Sequence, residues 1–369
     1  MHKPIPAWPG EFVSLGENGD VFVRSAPAVR GGAGDAEPAL CVHGFGGSST
    51  NWTDLMQLLS GAVTVDGAVA ELALDPVFDC DAIDLPGFGF SPPAEDRSSS
   101  VSGQAATVAA FIERRGRGPV HLIGNSLGGA VCTRVAATRP ELIRTLTLIA
   151  PAMPDLWPRP ASARFPALCV PGFGGWLLRR AQTLSAKTRV ELSLATVYFD
   201  RSCVHPDRLA EEIAEVERRD KLPYGEAVLL RCARSIVTEY LRRGSGSLWR
   251  DAASVMAPSL VIYGSHDRLV DPRMAGRAAR AFRGGRVVVL PRTGHVAQME
   301  RPAAVAAELR RMITSPACAY GGHGDGAADH QYARTRRSWH RDSERPSLTR
   351  VHAALARHRG PAAPAGEWE

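Results

Sequence analysis

"LIGNSLGGAV", residues 122–131, runs from a short apolar stretch into a serine set between glycines, then into small and apolar residues. Gly124-Asn125-Ser126-Leu127-Gly128 fits Gly-x-Ser-x-Gly, and its flanks predict a strand before the serine and a helix after it. So tight a bend holds its central residue in a strained backbone conformation, at a cost of about 1–3 kcal/mol. Glycines two before and two after let strand and helix approach without a Cβ collision. The bend lifts the Ser126 hydroxyl clear of the sheet and leaves the Leu127 N–H free at a helix N-terminus, where it can bind an oxyanion. The bland reading is a glycine turn with a chance serine. A phosphate-binding P-loop is excluded, because the Gly-Lys-Ser/Thr ending is missing.

The surroundings alternate. Apolar runs at "ALCVHG" (39–44), "VFDCDAIDLPG" (77–87), "PVHLIGNS" (119–126), "RTLTLIAPA" (144–152), "SLVIYGSHD" (259–267) and "RVVVLPRTGH" (286–295) read as strands. Helical patterns separate most of them, for instance over 101–115, 127–139 and 272–282. Nearly continuous apolar strands between helices predict an α/β fold, a mostly parallel central sheet covered on both faces. "EFVSLGENGDVFVRSA" (11–26) reads instead as a hairpin that adds an antiparallel edge.

Two segments break the rhythm. From Met153 to Trp249 the pattern turns helical, in "GWLLRRAQTLSAKTRVELSLATVYF", "DRLAEEIAEVERRD" and "YGEAVLLRCARSIVTEYLRR". The expected organisation is a core over 1–152 and 251–314, interrupted by a helical insertion over 153–250. After Ser315 the chain is poor in aliphatics and rich in Gly, Ala, Arg and His. Such a segment cannot bury enough surface to offset its ordering entropy, so a disordered tail is expected over 315–369.

Composition bounds the rest. With 369 residues, 44% hydrophobic and 22% charged, the chain can bury a large core. No stretch reaches the ~18 apolar residues of a membrane span, and "MHKPIPAWPGEF" lacks the apolar centre of a signal peptide. No integral membrane segment and a cytoplasmic location are therefore expected. The seven cysteines show no CxxC spacing and read mostly as buried small hydrophobes. A formal charge of +6 with dispersed arginine pairs argues for a solvated surface rather than a nucleic-acid site. The expected partner is a small-molecule substrate; oligomeric state is not legible.

Further chemistry gathers at other strand ends. "HGFGGSS" (43–49) follows the strand at 39–42, with glycines that permit an exposed backbone and Phe45 N–H as a second oxyanion donor. His43 is expected to order this loop rather than move protons. "GSHDRLVD" (264–271) offers Asp267 as an acid to orient a histidine, and "PRTGHVAQMERP" (291–302) offers His295 as a base. Among the alternatives, Asp271 reads as a helix N-cap before Pro272, Asp155 as a second candidate acid, His266 as exposed and His121 as a packed core histidine. Histidine suits the base role because its unperturbed pKa lies near 6.5. No step needs a metal or organic cofactor, so none is expected.

With "HGFGGSS", "DLPGFGFS" (84–91), the Gly-x-Ser-x-Gly turn and the late Gly-His, in the order Ser126, Asp267, His295, the chain resembles the α/β-hydrolase superfamily, and within it the capped enzymes. The resemblance covers about residues 10–313. It implies Ser126 as nucleophile, His295 as general base, Asp267 as its orienting acid, Phe45 and Leu127 as backbone oxyanion donors, and the helical insertion as a cap. "DLPGFGFS" is then a structural turn. Relatives with an aspartate nucleophile, the haloalkane dehalogenases and epoxide hydrolases, are disfavoured by Ser126. The activity implied first is hydrolysis of an ester or related acyl bond of a small apolar substrate. Carbon–carbon bond hydrolysis of the meta-cleavage type is second, although "HGFGGSS" replaces the usual HGxGPGA, and cofactor-free haloperoxidase activity can accompany either. A small-molecule receptor of the same fold stands as the non-enzymatic reading. Trp157, Phe165, Phe173, Trp176, Tyr198, Phe199 and Tyr224 are expected mostly as cap core, with a share lining an apolar pocket.

Overall fold

The structure is a computed structural model and describes residues 4–29, 36–65, 68–71, 77–93, 99–155, 157 and 159–315. The chain falls into two compact units, residues 1–325 and 326–369. The second unit, and nearly all of the expected disordered tail, lie outside the described residues.

Ten strands are present among the described residues: β1 (Gly10–Ser14), β2 (Asp20–Ala26), β3 (Glu37–Val42), β4 (Ala62–Val65), β5 (Ala68–Glu71), β6 (Phe78–Ile83), β7 (Val120–Asn125), β8 (Ile143–Ile149), β9 (Ser259–Gly264) and β10 (Arg286–Leu290). Eight form one sheet in the order β1-β2-β6-β3-β7-β8-β9-β10. From β6 to β10 every pairing is parallel. The expected hairpin is β1–β2, whose inner strand runs antiparallel to β6. A separate ribbon, β4–β5, was not expected from the sequence, because its short runs carry no strong alternation.

The α-helices are α1 (Thr53–Leu59), α2 (Val101–Arg115), α3 (Leu127–Thr138), α4 (Arg164–Cys169), α5 (Phe173–Gln182), α6 (Ala186–Val197), α7 (Pro206–Asp220), α8 (Gly225–Leu241), α9 (Leu248–Ser254), α10 (Met274–Ala281), α11 (Ala297–Glu300) and α12 (Pro302–Ile313). Among the described residues they frame three apolar clusters, the smallest packing α6 and α7 with Tyr198 and Val296; the two larger ones lie against the sheet. One joins the sheet to α2, α3, α9 and α10; the other joins it to α1 and α12. The strands carry apolar residues on both faces because both are covered. Helices α4–α9 all fall between β8 and β9. The single amphipathic run at 175–199 is two helices, because Ser185 Oγ accepts from Thr188 N at 3.1 Å and starts α6 afresh. Among the described residues, no helix is long and apolar enough to cross a membrane.

This topology creates a crevice. The chain leaves β3 for β6 on one side and returns to β7 on the other, so neighbouring connections diverge above the carboxyl ends of β3 and β7. In open α/β sheets that is where ligands bind.

Candidate active site

Ser126 lies between β7 and α3 with φ 53° and ψ −116°, a conformation costly for a residue with a Cβ. The turn is locked by its own backbone: Ser126 N donates to Ile149 O at 3.0 Å, and Ser126 O accepts from Ala152 N at 2.9 Å and Ala130 N at 3.2 Å. Both motif glycines are needed sterically. A Cβ at Gly128 would stand 2.2 Å from Val42 O, and one at Gly124 would stand 2.6 Å from Gly128 O. The bend thus presses α3 onto the end of β3. The backbone at Gly44 also comes close to the serine, since a Cβ there would lie 3.1 Å from Ser126 Cβ.

Asp267 and His295 sit beyond β9 and β10. Asp267 Oδ2 accepts from His295 Nδ1 at 2.8 Å, while its Oδ1 accepts from the backbone N–H of Leu269 at 2.7 Å and Val270 at 2.9 Å. Both side chains are buried. A carboxylate is acceptor-only, so a proton lies on Nδ1, and in the neutral imidazole Nε2 is the nitrogen with the free lone pair. Among the described residues no hydrogen bond joins Nε2 to Ser126 Oγ. The two loops are tied through the neighbouring side chain instead: Asn125 Nδ2 donates to His295 O at 3.1 Å and to Ile149 O at 3.0 Å. The histidine loop is braced further by Glu300, whose carboxylate accepts from Gly294 N at 2.7 Å and from Phe199 N and Asp200 N at the end of α6.

The glycine loop after β3 is held with equal care. Gly44 O accepts from His43 Nδ1 at 2.7 Å and from Gly47 N at 3.1 Å. His43 Nε2 accepts from Leu85 N at 3.0 Å. With one ring nitrogen donating and the other accepting, His43 is neutral, and burial holds its pKa below the ordinary value despite the nearby Asp84 carboxylate. Asp84, first residue of "DLPGFGFS", accepts from Ser49 N and Phe90 N, so that motif also works as a brace. Because a peptide unit is planar and trans, clamping Gly44 O aims the Phe45 N–H the opposite way. Neither that N–H nor Leu127 N–H has a hydrogen-bond partner among the described residues.

The other candidates are placed apart. Asp271 Oδ1 accepts from Arg273 N at 2.9 Å, and its carboxylate pairs with Arg159 at 3.1 Å and Arg273 at 2.6 Å. Helix α10 begins only at Met274, so Asp271 caps the turn leading into the helix and not its first turn. Asp155 Oδ1 accepts from Trp157 N at 3.1 Å and, among the described residues, meets no histidine. His266 is exposed against the Phe199 ring. His121 is buried between Thr145 and Glu37, with Nε2 2.5 Å from Glu37 Oε2. Of the aromatic residues in the insertion, Phe165 packs edge-on against Phe45 with ring centroids 5.2 Å apart. Tyr198 is buried, but Trp157, Phe173 and Trp176 are exposed and so are not the cap core expected of them. The glycines of "FGGW" are the reason for the last two: Gly174 and Gly175 face inward, where a Cβ would strike Leu168 O and Glu226 Oε1, which turns both flanking aromatics outward. Among the described residues no cluster of His, Cys, Asp or Glu is arranged to hold a metal.

Asn125, Glu300 and Asp84 carry structural duties that the sequence alone did not assign. Asn125 had a signal, a polar residue inside an otherwise apolar and glycine-rich turn. Glu300 had none, since its partners at Phe199 and Asp200 lie about a hundred residues away.

Residues 38–302 match the family model described as alpha/beta hydrolase fold. The chain is 28% identical over 277 residues to monoacylglycerol lipase abhd6-B of Xenopus laevis, covering 74% of each chain. It is 26% identical over 293 residues to a dihydrolipoyllysine-residue acetyltransferase component of an acetoin cleaving system from Cupriavidus necator, covering 76% of this chain and 63% of that one. Among solved structures it is similar to a bacterial membrane phospholipase A, at 23% identity and a TM-score of 0.62, over 83% of this chain and 86% of the other.

Proposed function

The chain belongs to the alpha/beta hydrolase fold family, and on that premise we propose that it is a serine hydrolase that cleaves an ester or related acyl bond of a small, apolar substrate. Ser126 is the nucleophile, His295 the general base, Asp267 its orienting acid, and the N–H groups of Phe45 and Leu127 form the oxyanion hole. The carrying observation is the Asp267–His295 hydrogen bond, which engages Nδ1 and leaves Nε2 as the ring nitrogen free of that contact, on a loop tied by Asn125 to the strained turn that bears Ser126.

Serine is a weak nucleophile until a base takes its proton. His295 Nε2 accepts that proton as Oγ attacks the carbonyl carbon. The C=O electron pair becomes an oxyanion against the two N–H groups, and removing one such donor typically costs about 10²–10³ in rate. Collapse expels the alcohol, which receives the proton from His295. Water then repeats the sequence on the acyl-enzyme. Asp267 stays ionised and stabilises the imidazolium. Helices α4–α9 act as the cap, roughly residues 153–250, with Phe165 against Phe45 as an apolar wall beside the acyl group. The lipase among the relatives supports the choice of an ester.

The test pairs a fluorophosphonate probe with p-nitrophenyl esters of increasing chain length. Labelling and turnover are expected in the native protein, and Ser126→Ala is expected to lose both while keeping its melting temperature. Turnover surviving in Ser126→Ala rules out this mechanism. Labelling without turnover of any ester favours a receptor or a narrow carbon–carbon bond substrate.

A further inference from the structure

Helix α7, from the inserted segment, lies against the glycine loop after β3. Arg208 on α7 pairs with Asp54 at 2.6 Å, and Glu212 accepts from Asn51 Nδ2 at 2.7 Å. Asn51 Oδ1 in turn accepts from Ser48 N at 3.0 Å. Further along α7, Arg219 Nη1 donates to Gly46 O at 2.9 Å. Gly46 has φ +74°, a left-handed conformation that suits glycine. Arg219 makes no ion pair among the described residues; Glu212, Glu215 and Asp220 lie near it without reaching salt-bridge distance, and Arg189 is the nearby like charge.

The contact acts through the backbone of the loop. Gly46 C=O and Gly47 N–H belong to one peptide unit, and that N–H donates to Gly44 O at 3.1 Å. Gly44 C=O and Phe45 N–H belong to a second unit. A continuous line therefore runs from the guanidinium through two peptide units to the Phe45 N–H. In each unit the carbonyl is pulled on by a donor, and the amide opposite becomes more acidic. Hydrogen bonds in series polarise one another, and the source here is a full positive charge. The same line fixes direction, since neither peptide can rotate without breaking a bond.

We propose that Arg219 is a positioning residue for the oxyanion hole: through Gly46 and Gly44 it aims and polarises the Phe45 N–H, so that the inserted helices help to complete the hydrolytic site. This rests on the serine-hydrolase reading of Ser126, Asp267 and His295. Its signature is a loss confined to species bearing the oxyanion. In Arg219→Met the kcat for p-nitrophenyl butyrate is expected to fall about tenfold, less than for loss of an oxyanion donor itself, with KM within about twofold. Inhibition by a trifluoromethyl ketone, which adds to the serine and leaves an alkoxide at the same position, is expected to weaken by about the same factor. The melting temperature is expected to hold within about two degrees, and Arg219→Lys, which keeps the charge and a donor, to recover most of the loss. The proposal is overturned if kcat and inhibitor affinity in Arg219→Met stay within twofold of the native protein. It is equally overturned if the loss comes with a lowered melting temperature, or if lysine recovers none of it, since the arginine then only holds the fold. Ser126→Ala, assayed alongside, separates the two levels: turnover that survives there removes the underlying reading itself.

Discussion

At the residue scale, the two neighbouring aspartates after β9 make opposite demands on the same chemistry. Asp267 is buried and spends its accepting capacity on His295 Nδ1 and two backbone amides. Asparagine there presents an NH2 group to at least one N–H donor and favours the wrong imidazole tautomer. Asp267→Asn is expected to lower kcat by about ten-thousand-fold. Among the described residues Asp271 meets Arg159, Arg273 and the turn before α10. Burial pushes its carboxyl up, but the hydrogen bonds and charges of those arginines outweigh this and hold it below the ordinary value. As Arg273 is largely exposed, Asp271→Asn is expected to cost less than about 1 kcal/mol in stability and to leave kcat within about twofold. Parallel steady-state kinetics on one ester decides between them, and a reversed order identifies Asp271 as the acid.

At the element scale, a single guanidinium ties the inserted helices to the body of the sheet. Arg134 on α3 is buried and reaches Ser102 on α2, Glu239 on α8, Asp251 on α9 and Gly246 O. Removing one partner of such a network strands the others in a low-dielectric interior. Arg134→Met leaves the buried Glu239 with only the part-exposed Arg242, 3.6 Å away, as its cation and is expected to destabilise by about 3 kcal/mol. Urea denaturation measures this, and Glu239→Gln added to it is expected to restore part of the loss, because the weakly compensated buried charge is then gone. None of this network was legible in the sequence. Arg134 sits in an apolar helix, and Glu239 lies 105 residues further on; some element boundaries were legible, such as the start of α2 at 101 and the "ENGD" turn between β1 and β2.

At the scale of the whole molecule, buried histidines set the response to acid. His43 and His121 both have pKa values lowered by burial, His43 against the attraction of Asp84 and Glu215, His121 against Glu37 and with Arg144 acting the same way as burial. The unfolded chain takes up these protons near pH 6.5, while the native state resists. Their contribution is therefore fully present above about pH 6.5 and is lost as pH falls below it, by at most about 1.4 kcal/mol per pH unit for each group. Glu212 acts with the opposite sign: burial pushes its carboxyl up to about 7, so its contribution is lost as pH rises between about 4.5 and 7. Between pH 7.5 and 5.5 the histidines and Glu212 therefore pull in opposite directions, and removing one histidine is expected to make the change in melting temperature over that range less unfavourable to the acid side. His121→Gln is compared with the native protein at both pH values. An identical change in that variant assigns the acid sensitivity elsewhere.

The sequence by itself determined the fold class, the chain order of the central-sheet strands, and the candidate nucleophile, acid and base, because each of those signals is local. A glycine pair around a serine, a histidine or aspartate just past an apolar run, and a period of 3.6 or 2 are all read within a dozen residues. Only the tertiary structure decided what braces those groups. Arg219 meets Gly46 across 173 positions and Asn125 meets His295 across 170, and no pattern in either segment names the other. It also decided which aromatic residues of the insertion face inward, since Gly174 and Gly175 set the rotation of α5 by close approach to α4 and α8. Such contacts depend on how the elements are turned and docked. That is a matter of shape and of satisfying buried polar groups over long separations, and it is written in the packing rather than in any one stretch of chain.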